Sequence, residues 1–169
     1  MSGKLIQVDS ETITTATSTV TLTGITDNSV YLVVGRNIKG DTDNKAFRFR
    51  CSDDGTPITS DYDVAYYRIR TSSPANIGAI SQAHISIGGV GTGSSGNEQS
   101  NFHMMLYNMF NSSEYSTGTF APVTYNATPV LEGNTGSFGL RNAQRTNEAH
   151  FLLASGNFTS GQFAMYKVI

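Results

Sequence analysis

The sequence has one cysteine, no tryptophan, four prolines, and few charges: Asp, Glu, Lys and Arg make up 14% of its 169 residues. A single thiol excludes an internal disulfide, so Cys51 is expected to act as a small buried apolar side chain. A formal charge of -2 with a pI near 5.8 leaves no basic stripe, which argues against a nucleic-acid partner. No apolar run approaches the ~18 residues of a membrane-spanning helix, so no membrane partner is expected. The opening residues also lack the apolar stretch of a secretion signal, and the chain is expected to be made in the cytosol and to stay soluble.

What the chain has instead is small polar residues. Serine, threonine, asparagine and glycine account for 69 of the 169 residues. Threonine and asparagine compete with helices through β-branching and local hydrogen bonds, and glycine breaks them, so an all-β chain with many turns is the first expectation. The length suits one domain spanning 1–169, large enough to bury roughly 70% of the surface its unfolded form exposes. Residues 1–18 read as an extended arm ahead of the first clear strand.

Alternating segments recur between turn signals. Thr19-Val20-Thr21-Leu22-Thr23 alternates strictly, and Val30-Tyr31-Leu32-Val33-Val34 reads as a strand buried on both faces. Phe47-Arg48-Phe49-Arg50-Cys51 places two aromatics and the thiol on one side and two arginines on the other. Tyr67-Arg68-Ile69-Arg70 reads the same way, arginines outward. Further strands are expected around 84–87, 102–110, 119–125, 137–140, 149–154 and 162–169, with a flexible glycine-rich loop at 88–97. Eight to ten short strands with no Cys…Trp…Cys core predict an antiparallel two-sheet sandwich of jelly-roll type.

A catalytic site needs ionisable groups whose roles can be named, and none stands out. His84, His103 and His150 fall in separate strands and in no metal-binding spacing, and Gly-x-Ser-x-Gly is absent. Asp41-x-Asp43-Asn44 opens like a calcium loop, but its twelfth position is Ser52 and its sixth is not glycine. No catalytic residue, metal ligand or cofactor is therefore assigned, and the chain is expected not to be an enzyme.

Two features point to contacts with other proteins. Arg48, Arg50, Arg68 and Arg70 are four of eleven basic residues, and guanidinium groups on a strand face are shaped to meet carboxylates in pairs. The segment Phe102–Phe110 is apolar on both alternating sides, with Phe102, Met104, Leu106 and Phe110 on one and Met105, Tyr107 and Met109 on the other. A single sandwich has only one interior, so the second side predicts a homo-oligomer, a trimer being the expected form. Tyr62, Tyr66, Tyr115 and Tyr125 would suit either a protein contact or a host glycan if exposed.

Four stretches carry a family resemblance: "MSGKLIQVDSETITTATSTVTLTGITDNSVYLVV", "GTPITSDYDVAYYRIRT", "LYNMFNSSEYS" and "SGNFTSGQFAMYKV". They resemble small structural proteins of tailed bacteriophages of marine bacteria and cyanobacteria. The resemblance implies a virion protein with an all-β sandwich, its first and last strands close together, and no enzymatic activity. It transfers no functional residue. Within a virion, a self-contained sandwich without a heptad shaft fits a capsid decoration or cement protein bound to the major capsid protein or another virion protein. The alternative is the receptor-binding head of a tail fibre that reads a host surface glycan.

Overall fold

The computed structural model describes residues 3–88, 93–95, 97–125 and 130–169. Half of the glycine-rich loop expected at 88–97, namely 89–92 and 96, lies outside the described residues. The described residues form strands and no helix. In chain order the strands are β1 (Leu5–Ile13), β2 (Thr19–Leu22), β3 (Val30–Gly40), β4 (Phe47–Asp53), β5 (Thr56–Pro57), β6 (Tyr62–Arg70), β7 (Ala75–Gln82), β8 (Ile85–Ser86), β9 (Ser100–Tyr107), β10 (Ser116–Tyr125), β11 (Leu131–Leu140), β12 (Glu148–Leu153) and β13 (Phe158–Val168).

They build two antiparallel sheets, packed as a jelly-roll-like sandwich. The large sheet has eight strands in the order β1-β13-β3-β9-β10-β11-β6-β7; the small one has β2-β12-β4-β5, with β8 also on β4. The expected two-sheet sandwich is thus present, but with thirteen strands where eight to ten short ones were expected. Leu5–Ile13, expected as part of an arm, runs along β13 as the edge strand of the large sheet. The first and last strands are therefore direct neighbours, and Lys4 and Ile169 exchange both backbone hydrogen bonds, at 2.8 and 3.0 Å.

The core lies where the small sheet covers the middle of the large one. Alternation in β4 and β12 sends Phe47, Phe49, Cys51, Ala149, Phe151 and Leu153 inward, to meet Val33, Phe102, Met104, Phe120, Phe138 and Phe163 from the large sheet. Phe151 sits at the centre, with ring centroids 5.3–5.8 Å from Phe47, Phe49, Phe102 and Phe163. Such tilted and edge-on contacts add to the burial of the rings themselves. Tyr62 ties the two sheets together: its hydroxyl accepts from the Cys51 amide at 2.8 Å and donates to the Ile58 carbonyl at 3.1 Å. Burial pushes the Cys51 thiol up to about 12, so it is a core side chain with no nucleophilic character.

Three strand-face assignments differ from the sequence expectation. In β3, expected to be buried on both faces, only the Tyr31 and Val33 side is buried, and Leu32 and Val34 stand partly exposed on the outer face because the small sheet covers one side alone. In β6 the phase is set by Tyr62 and Val64, which fill the core, and the strand holds that phase to its end. Arg68 and Arg70 consequently face inward and Tyr67 and Ile69 outward, the reverse of what the last four residues suggest alone. In the 102–110 segment, β9 ends at Tyr107, and Asn108 takes a left-handed conformation (φ 56°). That turn breaks the alternation, so Met109 is fully buried while Phe110 is only partly covered. Met109 is therefore a core residue and leaves the predicted interface.

Candidate interaction surfaces

Strand β4 pairs with β12 and β8, and β6 pairs with β11 and β7, so the four arginines do not share one surface. Arg48 and Arg50 stand on the outer face of the small sheet. The register places Thr21, His150 and Arg50 in one cross-strand row and Thr19, Leu152, Arg48 and Ser86 in the next. Arg50 Nε donates to the Ala83 carbonyl at 2.9 Å, while Arg48 Nε is buried with no acceptor. His150 Nδ1 lies 2.9 Å from the Thr21 hydroxyl. Partial burial and the neighbouring guanidiniums hold both imidazoles below their ordinary value: Arg48 and Arg50 act on His84, and Arg50 acts on His150. Desolvation and Arg50 also lower Arg48.

Arg68 and Arg70 sit at the end of the large sheet's inner face, beside Asn134 and Glu132 of β11 respectively. Glu132 is 1% exposed and ion-paired with Arg70 through Nε and Oε2. The other carboxylate oxygen, Oε1, and Arg68 Nε are buried without hydrogen-bond partners. Breaking a pair of this kind costs far more than its formation contributes, because it leaves a charge stranded away from water. This makes the two residues part of the sandwich's interior. A cavity of about 110 Å³ lies nearby, between Val64, Tyr66, Ile77, Ala79 and Gln82 of the large sheet and His84 and Ser86 beyond it.

The outer face of the large sheet is different in character. On β3, β9, β10, β11, β6 and β7 its outward positions include Leu32, Val34, Met105, Tyr107, Ala121, Val123, Tyr125, Leu131, Ala65, Tyr67, Ile69 and Ile80. Val123, Gly133 and Ile69 are consecutive cross-strand partners, and Tyr125 faces Leu131, so these side chains form one patch. Ile69, Val123 and Tyr125 are each about half exposed (54%, 45% and 47%). Formal charge on these strands' outward side lies at the corners, with Arg36 and Lys39 at the end of β3 and Asp63 on β6, the last paired with Arg141 at 3.2 Å. Beyond β3, a groove of about 340 Å³ is lined by Gln7, Val34, Ala164 and Tyr166 among others.

Of the predicted contact residues, Met105 and Tyr107 are on this face and partly exposed. His103 is exposed beside them. Tyr115 and Tyr125 are exposed, Tyr66 is half-buried and Tyr62 is fully buried, which removes Tyr62 from any glycan platform. The acidic 41–44 turn is engaged within the chain: Asn157 and Thr42 donate to Asp41, and the Ser94 amide and hydroxyl donate to Asp43. No group of three or more His, Cys, Asp or Glu able to hold a metal occurs among the described residues. The partly exposed neighbours of Arg50, namely His84 and His150, are what the sequence did not single out; only the strand register brings them together.

No protein-family model matches the chain, and no characterised protein matches it by sequence. Among solved structures it is similar to an exo-inulinase from Aspergillus awamori at 10% identity and a TM-score of 0.44, with 96% of this chain covering 29% of that one. It is also similar to an alginate lyase from Alteromonas sp. 272, at 10% identity and a TM-score of 0.29, with 95% and 93% covered. A legume lectin-like domain from Entamoeba histolytica gives 8% identity and a TM-score of 0.25, with 98% and 83% covered. The chain spans less than a third of the exo-inulinase's length. No residue role is carried over from any of them.

Proposed function

We propose that this chain is a non-enzymatic structural protein of a virion, and within that class a capsid decoration protein. It binds the assembled head as a homotrimer and stabilises it. The observation that carries this reading is the outer face of the large sheet: broad, almost without formal charge, and set with half-exposed aliphatic and aromatic side chains. Contiguous apolar patches of this kind mark contact surfaces on soluble proteins. Six strands at ~4.8 Å spacing and about eight residues at ~3.3 Å each give a face of roughly 760 Å². That is close to the ~800 Å² per partner of a standard protein interface.

A ligand that binds only the assembled shell stabilises it by mass action, and symmetry repeats the effect at every site. No catalysis is needed for this role. Quantitative mass spectrometry of purified particles, scaled to the major capsid protein, tests it. Copies in the hundreds support decoration, whereas a few dozen or fewer indicate a tail position, the receptor-binding alternative. Absence from the particle overturns the reading.

A further inference from the structure

We propose that the outer face of the small sheet is a second, separate binding surface: a cationic strip that docks an extended acidic segment of a partner protein. Its centre is Arg48 and Arg50 on β4, flanked by His150 on β12 and by His84 just before β8. It lies on the opposite side of the sandwich from the apolar face and stands whether or not the particle reading holds.

Three observations carry this. The first is unmatched charge. Arg70, Arg141, Arg145 and Lys167 each meet a carboxylate of this chain, whereas among the described residues no ion pair joins Arg48 or Arg50 to one. On the neighbouring strand Glu148 stands across from Ser52, and its Oε2 already accepts the Ser52 hydroxyl at 2.8 Å and the Gly55 amide at 3.0 Å. Two neighbouring guanidiniums repel one another and oppose protonation of the two imidazoles beside them, and folding alone gains nothing from the arrangement. An anionic partner converts that repulsion into attraction.

The second observation is donor availability. Among the described residues no hydrogen bond engages the terminal nitrogens of Arg48, whose Nε is itself buried, and Arg50 spends only its Nε on the Ala83 carbonyl. The forked ends of both side chains remain for paired hydrogen bonds to carboxylates. The third is spacing. Arg48 and Arg50 occupy alternate positions of one strand, about 6.7 Å apart along the chain. The same distance separates alternate side chains of any other extended segment, so a partner with acidic residues at every second position meets both arginines in register.

The groups facing the histidines set the direction of the response. Arg48 and Arg50 face His84, while Arg50, Thr21 and Glu148 face His150. Burial first and the guanidiniums second hold both rings below their ordinary value; carboxylates seated between the arginines place opposite charge beside the rings, so both histidines take up protons more readily in the complex.

The test uses the full chain and a fluorescent peptide of alternating glutamate and serine, followed by anisotropy at low salt. Saturable binding is expected that weakens steeply with added salt. In the double variant Arg48→Gln/Arg50→Gln it weakens about tenfold or more. Arg141→Gln, on a paired arginine of the other sheet, is expected to leave it unchanged. A sulfated oligosaccharide of the same charge is the comparison ligand. Peptide affinity unaffected by the double variant, no saturation at millimolar peptide, or tighter binding of the oligosaccharide would each overturn the proposal. Should the double variant fail to fold, NMR titration of the unaltered protein decides: the His84 and His150 ring resonances must titrate at higher pH with peptide present, and unmoved titrations reject the site. Particle copy number is blind to these outcomes, so the two proposals fail separately.

Discussion

At the residue scale, the protein's polar atoms matter most where they bridge the sheets. The Tyr62 hydroxyl satisfies the buried Cys51 amide, so Tyr62→Phe strands that donor away from water. A loss of about 1–3 kcal/mol is expected from urea unfolding, with the slope of the transition unchanged. Phe151 touches four other aromatic rings, and its replacement by alanine leaves a cavity that the rigid sheets cannot close. About 3–5 kcal/mol is the expected cost. Cys51 offers an independent check on the core. With its thiol fully buried and its ionisation pushed up to about 12, labelling by a thiol reagent at mildly alkaline pH is expected only at the rate of unfolding. Rapid labelling of the native protein would show that β4 opens locally.

At the scale of elements, strand phase decides which residues reach a surface, and phase is legible only when the whole strand is read. Phe47, Phe49 and Cys51 alternate within a strand buried on one side throughout, so their inward placement follows directly from the sequence. The last four residues of β6 carry an equally clear alternation, but Tyr62, Val64 and Tyr66 fix the phase upstream and turn Arg68 and Arg70 inside. Sequence could not reveal the partner of Arg70, Glu132, because it lies 62 residues away and meets Arg70 only through β11. The same holds for the cationic strip, where His150 joins Arg50 across 100 residues by register alone. Met109 was obscured for another reason, a single left-handed residue at Asn108 that ends the alternation of β9. Asn108→Gly is expected to be tolerated, and Asn108→Val to destabilise by about 1–2 kcal/mol, since a β-branched side chain resists positive φ. Gly136, missed as the middle of a strand, is required by close approach: a Cβ there would sit 2.2 Å from that of Tyr66 and 2.6 Å from the Ala65 carbonyl.

For the molecule as a whole, acid weakens the fold in two stages of the same sign. His84 and His150 are held below their ordinary 6.5, so the unfolded chain takes up protons first as pH falls below that value, and stability is lost there. Asp27, held down chiefly by Lys167, and Asp43, held down by the Ser94 amide, lose their contribution only below the ordinary 3.8. Replacing both histidines with glutamine removes the first stage and keeps the second, as thermal melting across the acid range would show. Association is the other molecular property that the proposed role requires. Burying the apolar face of the large sheet removes Met105, Tyr107, Val123, Tyr125, Leu131, Ile69 and Tyr67 from water, and nothing charged in its middle opposes close approach. A trimer requires two different patches of that face to meet around a three-fold axis, whereas a face stacked on its own copy closes with two-fold symmetry. Light scattering on the eluting protein should therefore give about 54 kDa, three times the 18.1 kDa chain, and a dimer near 36 kDa would replace the three-fold arrangement while keeping the surface. Val123→Lys with Tyr107→Lys places two charges in the middle of the contact, where leaving them unpaired and desolvated is costly, and is expected to give a folded monomer. An unaltered protein that runs as a monomer at micromolar concentration, or a doubly substituted one that associates as before, would remove the apolar face from the assembly role.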